Sequence, residues 1–134
     1  VLDGVNTLFQ MHDENIDEII YENDNLILLF NSICHDYAPS KKCKIIFRGF
    51  EDADSDVLTY LYRTDNNLCI SGKAMYFDQF YPMYSTLLSS MVVTDILCGY
   101  ERVVISGIAR EKNRDGVTKF SMQIDAKEVT YCWL

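Results

Sequence analysis

Asp54-Ser55-Asp56-Val57-Leu58-Thr59-Tyr60-Leu61-Tyr62, then Asn67-Leu68-Cys69-Ile70-Ser71-Gly72-Lys73, then Phe77 through Leu88 form the stretch whose reading decides the fold. The first piece opens on acidic residues and a serine, a helix-capping pattern, with Val57, Leu58, Leu61 and Tyr62 as its apolar side. The second is a short strand ending in Ser71-Gly72. The third carries Phe77, Phe80, Tyr81, Tyr84 and Leu88 near one helical face, which predicts a helix from Met75 or Asp78 to Ser90 with Pro82 in its first turn.

The chain after Ser90 reads as strand. Met91–Leu97 and Arg102–Arg110 flank a Cys98-Gly99-Tyr100 turn, and Asn113-Arg114-Asp115-Gly116 is a hairpin signal because Asp-Gly supplies the positive φ of a tight turn. Val117–Asp125 alternates, with Phe120, Met122 and Ile124 on one side and Lys119, Ser121, Gln123 and Asp125 on the other. A last strand starts at Val129.

The chain before Asp54 reads mostly as helix. Asp13 is a candidate cap, and Ile16, Ile19 and Ile20 come after it. Leu26, Leu29, Phe30 and Ile33 then recur at intervals of three and four, ending near His35-Asp36. Tyr37-Ala38-Pro39-Ser40 is a loop, Cys43–Phe47 is a strand or a helix front, and Gly49 interrupts it.

The chain has 134 residues and a net charge of −8, with hydrophobic residues at 49%, enough for a core at this length. These numbers predict a single domain over residues 1–134, and a start at Val1 with a stop at Leu134 in an apolar run leads us to expect that it is excised from a larger protein. Residues 1–60 hold 12 acidic and 4 basic side chains, whereas residues 61–134 hold 8 of each. That balance argues against broad phosphate binding and leaves an acidic first half able to meet a basic partner surface. Five widely spaced cysteines without a C-x-x-C pair suggest a reducing compartment, cytoplasmic or nuclear, and no apolar run reaches membrane-spanning length.

Site motifs are sparse. The run Glu51–Asp56 lacks the glycine and glutamate of a calcium loop, since Val57 and Arg63 hold those places. Cys34, His35 and Cys43 lack the paired spacing of a zinc site, and the adjacent Cys34-His35 pair diverges on a helix. No metal or cofactor is expected. Phe47, Tyr60 and Tyr62 would serve as stacking platforms for single-stranded nucleic acid, but a positive groove is confined to Arg102, Arg110, Lys112, Arg114 and Lys119.

Over residues 50–134 the order resembles the NTF2-like fold. The likeness rests on the Asp54–Tyr62 entry, Gly72-Lys73-Ala74 leading a helix through Leu87-Leu88, Asp95 in the next strand, the Val103–Gly107 to Phe120–Met122 hairpin and the late Trp133. It implies an α+β fold in which N-terminal helices pack on a curved, mostly antiparallel sheet. An OB-like or other small α+β barrel is the alternative, with Lys44–Phe47, Val57–Tyr62 and Leu68–Ile70 as consecutive strands. The resemblance implies two functions. One is a non-catalytic interaction domain that pairs as a homodimer or heterodimer through its open sheet face, as in RNA export or RNA–protein assembly. That face would carry Ser121 and Gln123 beside Val104, Ser106 and Ile108. The other is a small-molecule isomerase or dehydratase, with Asp95 as base and Tyr60, Tyr62 and Tyr84 as hydroxyl donors. With no histidine beyond residue 35, the balance falls against catalysis.

Overall fold

Asn23 and Asp24 take φ of 50° and 61°. Two successive positive φ values are what a two-residue hairpin turn requires, and Asn and Asp tolerate them best after glycine. The chain therefore reverses here, and the flanking residues pair as strands. In the computed structural model, residues 14–35, 38–49, 57–65, 69–99, 102–113 and 118–133 are described.

The elements run β1 (Glu14–Asn15), β2 (Glu18–Glu22), β3 (Asn25–His35), β4 (Ala38–Arg48), β5 (Val57–Asp65), β6 (Cys69–Tyr76), α1 (Phe77–Phe80), α2 (Tyr84–Leu87), β7 (Leu88–Gly99), β8 (Arg102–Glu111), β9 (Thr118–Asp125) and β10 (Glu128–Trp133). Among the described residues all pairings are antiparallel. One sheet has the order β1-β7-β8-β9-β5-β6, and the other β10-β4-β3-β2.

Two bends join the sheets. Between β1 and β2, the Ile16 N–H donates to Met91 O and the Asp17 N–H to Leu29 O, both at 2.8 Å. One chain segment thus passes its hydrogen bonds from β7 to β3. Between β9 and β10, Ala126 is buried and the Lys127 N–H donates to Arg48 O at 2.8 Å. The pairing can be followed as a ring through β8, β7, β1/β2, β3, β4 and β10/β9, with the β5–β6 hairpin attached to the free side of β9. Bending strands at corners is how a rolled sheet limits its edges.

The interior is one apolar cluster. Leu26, Leu28 and Phe30 of β3 alternate inward, as do Cys43, Ile45 and Phe47 of β4 and Phe120, Met122 and Ile124 of β9. α1 and α2 lie between β6 and β7. Phe77 and Phe80 are fully buried, and Phe77 packs on Tyr21 of β2 at 5.3 Å between ring centroids.

The α+β expectation is corrected: the described residues are mainly β, and among them no N-terminal helices pack on a sheet. The helix expected at Ile16–Ile20 is the β1–β2 bend and β2, and the one expected at Leu26–Ile33 is β3. Both faces of β3 are apolar, because Ile27 and Leu29 are half-buried outward while Leu26 and Leu28 are buried inward. A run apolar on both faces satisfies a three-and-four spacing by coincidence. The helix expected at Val57–Tyr62 belongs to β5, whose β-branched and aromatic residues suit a pleated sheet. The helix expected before Ser90 is two single turns on either side of Pro82, which has no N–H to continue the ladder. The NTF2-like cone falls with these helices. Phe47 is 1% exposed, so it offers no stacking platform. Gly116 and the rest of the expected 113–116 turn after Asn113, together with the Glu51–Asp56 run, lie outside the described residues. No described helix is long and apolar enough to cross a membrane.

Candidate binding face

The outer face of the six-stranded sheet can be laid out in rows from the strand registers. The central row runs Asp95, Ser106, Ser121, Tyr60, Ala74 across β7, β8, β9, β5 and β6. Two residues along the strands lies a row with Val92, Ile108, Lys119 and Gly72. Two residues the other way lies a row with Leu97, Val104, Gln123 and Tyr76. Beyond these stand Arg110 at one end and Arg102 with Asp125 at the other.

Val104, Ser106, Ile108, Ser121 and Gln123, the residues expected on a docking face, therefore stand together. Val104 is paired with Gln123, and Ser106 with Ser121. The alternation of β8 and β9 makes this inevitable once Phe120, Met122 and Ile124 face inward.

β7 contributes through an irregularity. Its register to β8 shifts between Val93 and Asp95, leaving Thr94 as the extra residue of a bulge. The Thr94 hydroxyl donates to the Ser106 carbonyl at 3.2 Å. Val93 faces inward, so unbroken alternation would have driven Asp95 into the core. The bulge instead sends Asp95 and Leu97 outward and Ile96 inward. Leu97 is 60% exposed, Tyr76 48% and Ile108 37%, and these are the exposed large hydrophobic residues among those described. All three lie on this face. Alternation alone could not have placed Leu97 there, because the bulge reverses its parity.

Charge on the face is sparse: Asp95 in the central row, Lys119 in the row with Ile108, and Arg110, Arg102 and Asp125 at the two ends. The Arg102 Nε–H donates to Asp125 Oδ1 at 3.0 Å, an exposed pair bridging β8 and β9. The face carries Arg102, Arg110 and Lys119 against Asp95 and Asp125, a near-neutral surface on a chain of net charge −8.

The residues expected to carry acid–base chemistry are not gathered. Asp95 is exposed on the outer face, and Tyr60 shares its row but stands three strand spacings away, about 14 Å. Tyr84 lies on α2, where its hydroxyl meets the backbone of Ile19. The Tyr62 side chain lies outside what the structure describes. Two clefts of about 280 Å³ flank α2. One holds Leu61, Met75, Met83 and Leu87 with Lys73 and Glu111. The other holds Ile16, Leu88 and Met91 with Asp17, Tyr84 and Lys112. Neither contains Asp95. Among the described residues no three His, Cys, Asp or Glu side chains gather as a metal site.

Among the described side chains of the four-stranded sheet are two thiols. Cys43 is buried on β4, and Cys132 is half-buried on β10; neither is in a disulfide. Burial pushes the Cys43 thiol up to about 12, with the Glu14 carboxylate and Cys132 adding to the shift. A thiol held neutral is a packing group rather than a nucleophile.

Comparison with protein-family models, with characterised proteins and with solved structures returns no match for this chain.

Proposed function

We propose that this domain is a non-catalytic protein-binding module that docks through the outer face of its six-stranded sheet. One observation carries the reading. The large hydrophobic side chains left exposed among the described residues, Tyr76, Leu97 and Ile108, share that face. Exposed apolar residues scattered singly need no explanation, whereas three on one sheet surface are a docking signal. The rest of the face suits the role. Ser106, Ser121, Val92 and Val104 are small or β-branched, so a partner can approach the backbone closely, and Arg110, Arg102 and Asp125 sit at the ends of the face, as charges do at the rims of protein interfaces.

A photo-crosslinking amino acid placed at Ser121 tests this in cells, with the same group at Lys42 on the other sheet as control. Efficient crosslinks to protein from position 121 and not from 42 are the expected result. Equal or absent crosslinking at the two positions overturns the reading.

A further inference from the structure

We infer that the partner seated on this face is a second copy of the same chain, the two faces packing about a two-fold axis that crosses the strands along the Asp95–Ser106–Ser121–Tyr60 row. This rests on the outer face being the docking surface.

The row pattern is self-complementary about that axis. The operation exchanges the rows on either side of the centre and keeps each strand over its own copy. Ile108 of one chain then meets Val104 of the other, and Val92 meets Leu97. Apolar side chains cover apolar side chains, and the central serines face serines. Small residues at the centre let the sheets approach to about 10 Å, the spacing of packed sheets. A two-fold interface must be complementary to itself in this way.

Charge is compatible with this axis. Lys119 comes over Gln123 of the copy, and Arg110 comes over Arg102 of the copy, whose charge is offset by its ion pair with Asp125. A two-fold axis along the strands would keep Lys119 and Arg110 at the same end as their own copies, where like charges repel. The chain's charge of −8 opposes self-association elsewhere, whereas this face holds three basic groups against two acidic ones. A strongly basic or strongly acidic partner finds no matching potential on it.

The size is adequate. Five strands about 4.8 Å apart and eight residues about 3.4 Å apart give a flat footprint of about 650 Å². Standard interfaces bury about 800 Å² of accessible surface per partner, which a pleated face of that footprint approaches.

One contact on the axis is unfavourable, and it gives the inference a sign. Asp95 lies in the central row and faces its own copy. Replacing it with asparagine removes a like-charge approach while keeping the shape. A partner of different sequence gives no reason for the same gain.

The experiment is light scattering combined with sedimentation equilibrium of the purified chain across a dilution series. The expected mass is twice the 15.5 kDa of one chain. Asp95→Asn is expected to lower the dimer Kd about threefold to tenfold, a modest electrostatic gain. Ser106→Arg and Ile108→Asp are each expected to raise it at least about tenfold, with circular dichroism confirming the fold. A monomer at concentrations up to about 0.5 mM overturns the inference, since an interface of this size holds well below that. So does a dimer indifferent to Ser106→Arg and Ile108→Asp, or one weakened by Asp95→Asn. If the chain is monomeric while position 121 still crosslinks to another protein in cells, the self-pairing fails and the docking face stands.

Discussion

Gly107 of β8 is paired directly with Phe120 of β9, and the ring of Phe120 occupies the space where a side chain at 107 would begin. A Cβ built on Gly107 would lie 2.8 Å from ring atoms of Phe120 and would also strike the carbonyl of Val92. β8 is thus pinned between β7 and the core by the absence of one methyl group. Gly107→Ala forces either the buried ring or the β7 backbone to move. Overpacking of this kind costs about 3 kcal/mol. Chemical denaturation is expected to show that loss in the midpoint. A variant within about 0.5 kcal/mol of the parent would mean that the strands yield freely there.

Thr59 on β5 is fully buried, and its Oγ1 finds no hydrogen-bond partner among the described residues. Its backbone neighbours across the ladders are Met75 and Met122, which offer no strong acceptor from their side chains. A buried hydroxyl without a partner carries a desolvation penalty. Valine has the same branched shape and the same strand preference. Thr59→Val is expected to raise stability by about 1 kcal/mol, read as a shift in denaturation midpoint with unchanged slope. A loss of stability would indicate that the hydroxyl is bonded after all.

The second half of the chain was legible because its strands are buried on one side only. Phe120, Met122 and Ile124 alternate with Lys119, Ser121 and Gln123, and a period of two on a half-buried strand admits one interpretation. The first half was not. β3 is apolar on both faces, so Leu26, Leu29 and Phe30 match a helical spacing as well as a strand. Asn23-Asp24 was the better signal, since two turn-forming residues between apolar runs favour a hairpin. In the binding face, Ser121 and Gln123 came from parity. Leu97 did not, because the Thr94 bulge reverses parity, and no local signal in Val92–Ile96 announces a bulge. Tyr76 was hidden by the expectation that it belonged to a helix, although it ends β6.

Cys43 ties stability to alkaline pH. Its thiol is raised from 9.0 to about 12 in the folded protein, by burial first and by Glu14 and Cys132 after it. The folded state therefore keeps the proton at pH values where the unfolded chain loses it. The contribution is fully present below the unfolded value and is lost as pH rises from 9.0 towards about 12. Denaturation midpoints are expected to fall through that window, and Cys43→Ala is expected to flatten the fall. A thiol-alkylating reagent at neutral pH should modify Cys132 well before Cys43, read by mass spectrometry of the peptides. Equal rates would contradict the burial of Cys43.

Tyr84 closes an edge that no described strand covers. Its hydroxyl lies 3.4 Å from both the N–H and the carbonyl oxygen of Ile19, accepting from the first and donating to the second. Ile19 pairs with Leu28 of β3 in register, and its N–H and carbonyl reach the Tyr84 hydroxyl on the other edge of β2, just past the bend after β1, which pairs with β7. One phenolic group thus takes the place of a neighbouring strand, held there by its stacking on Phe80 and Tyr81. Tyr84→Phe keeps the rings packed and removes only that group. At 3.4 Å the bonds are long, so the expected global loss is about 1 kcal/mol. The local effect is sharper, because the Ile19 amide loses its acceptor and its hydrogen exchange should accelerate while the Phe120 amide in β9 is unchanged. The freed edge of β2 is also a template for strand pairing, so the variant is expected to aggregate sooner on heating. Unchanged exchange at Ile19 would show that the hydroxyl does not guard this edge.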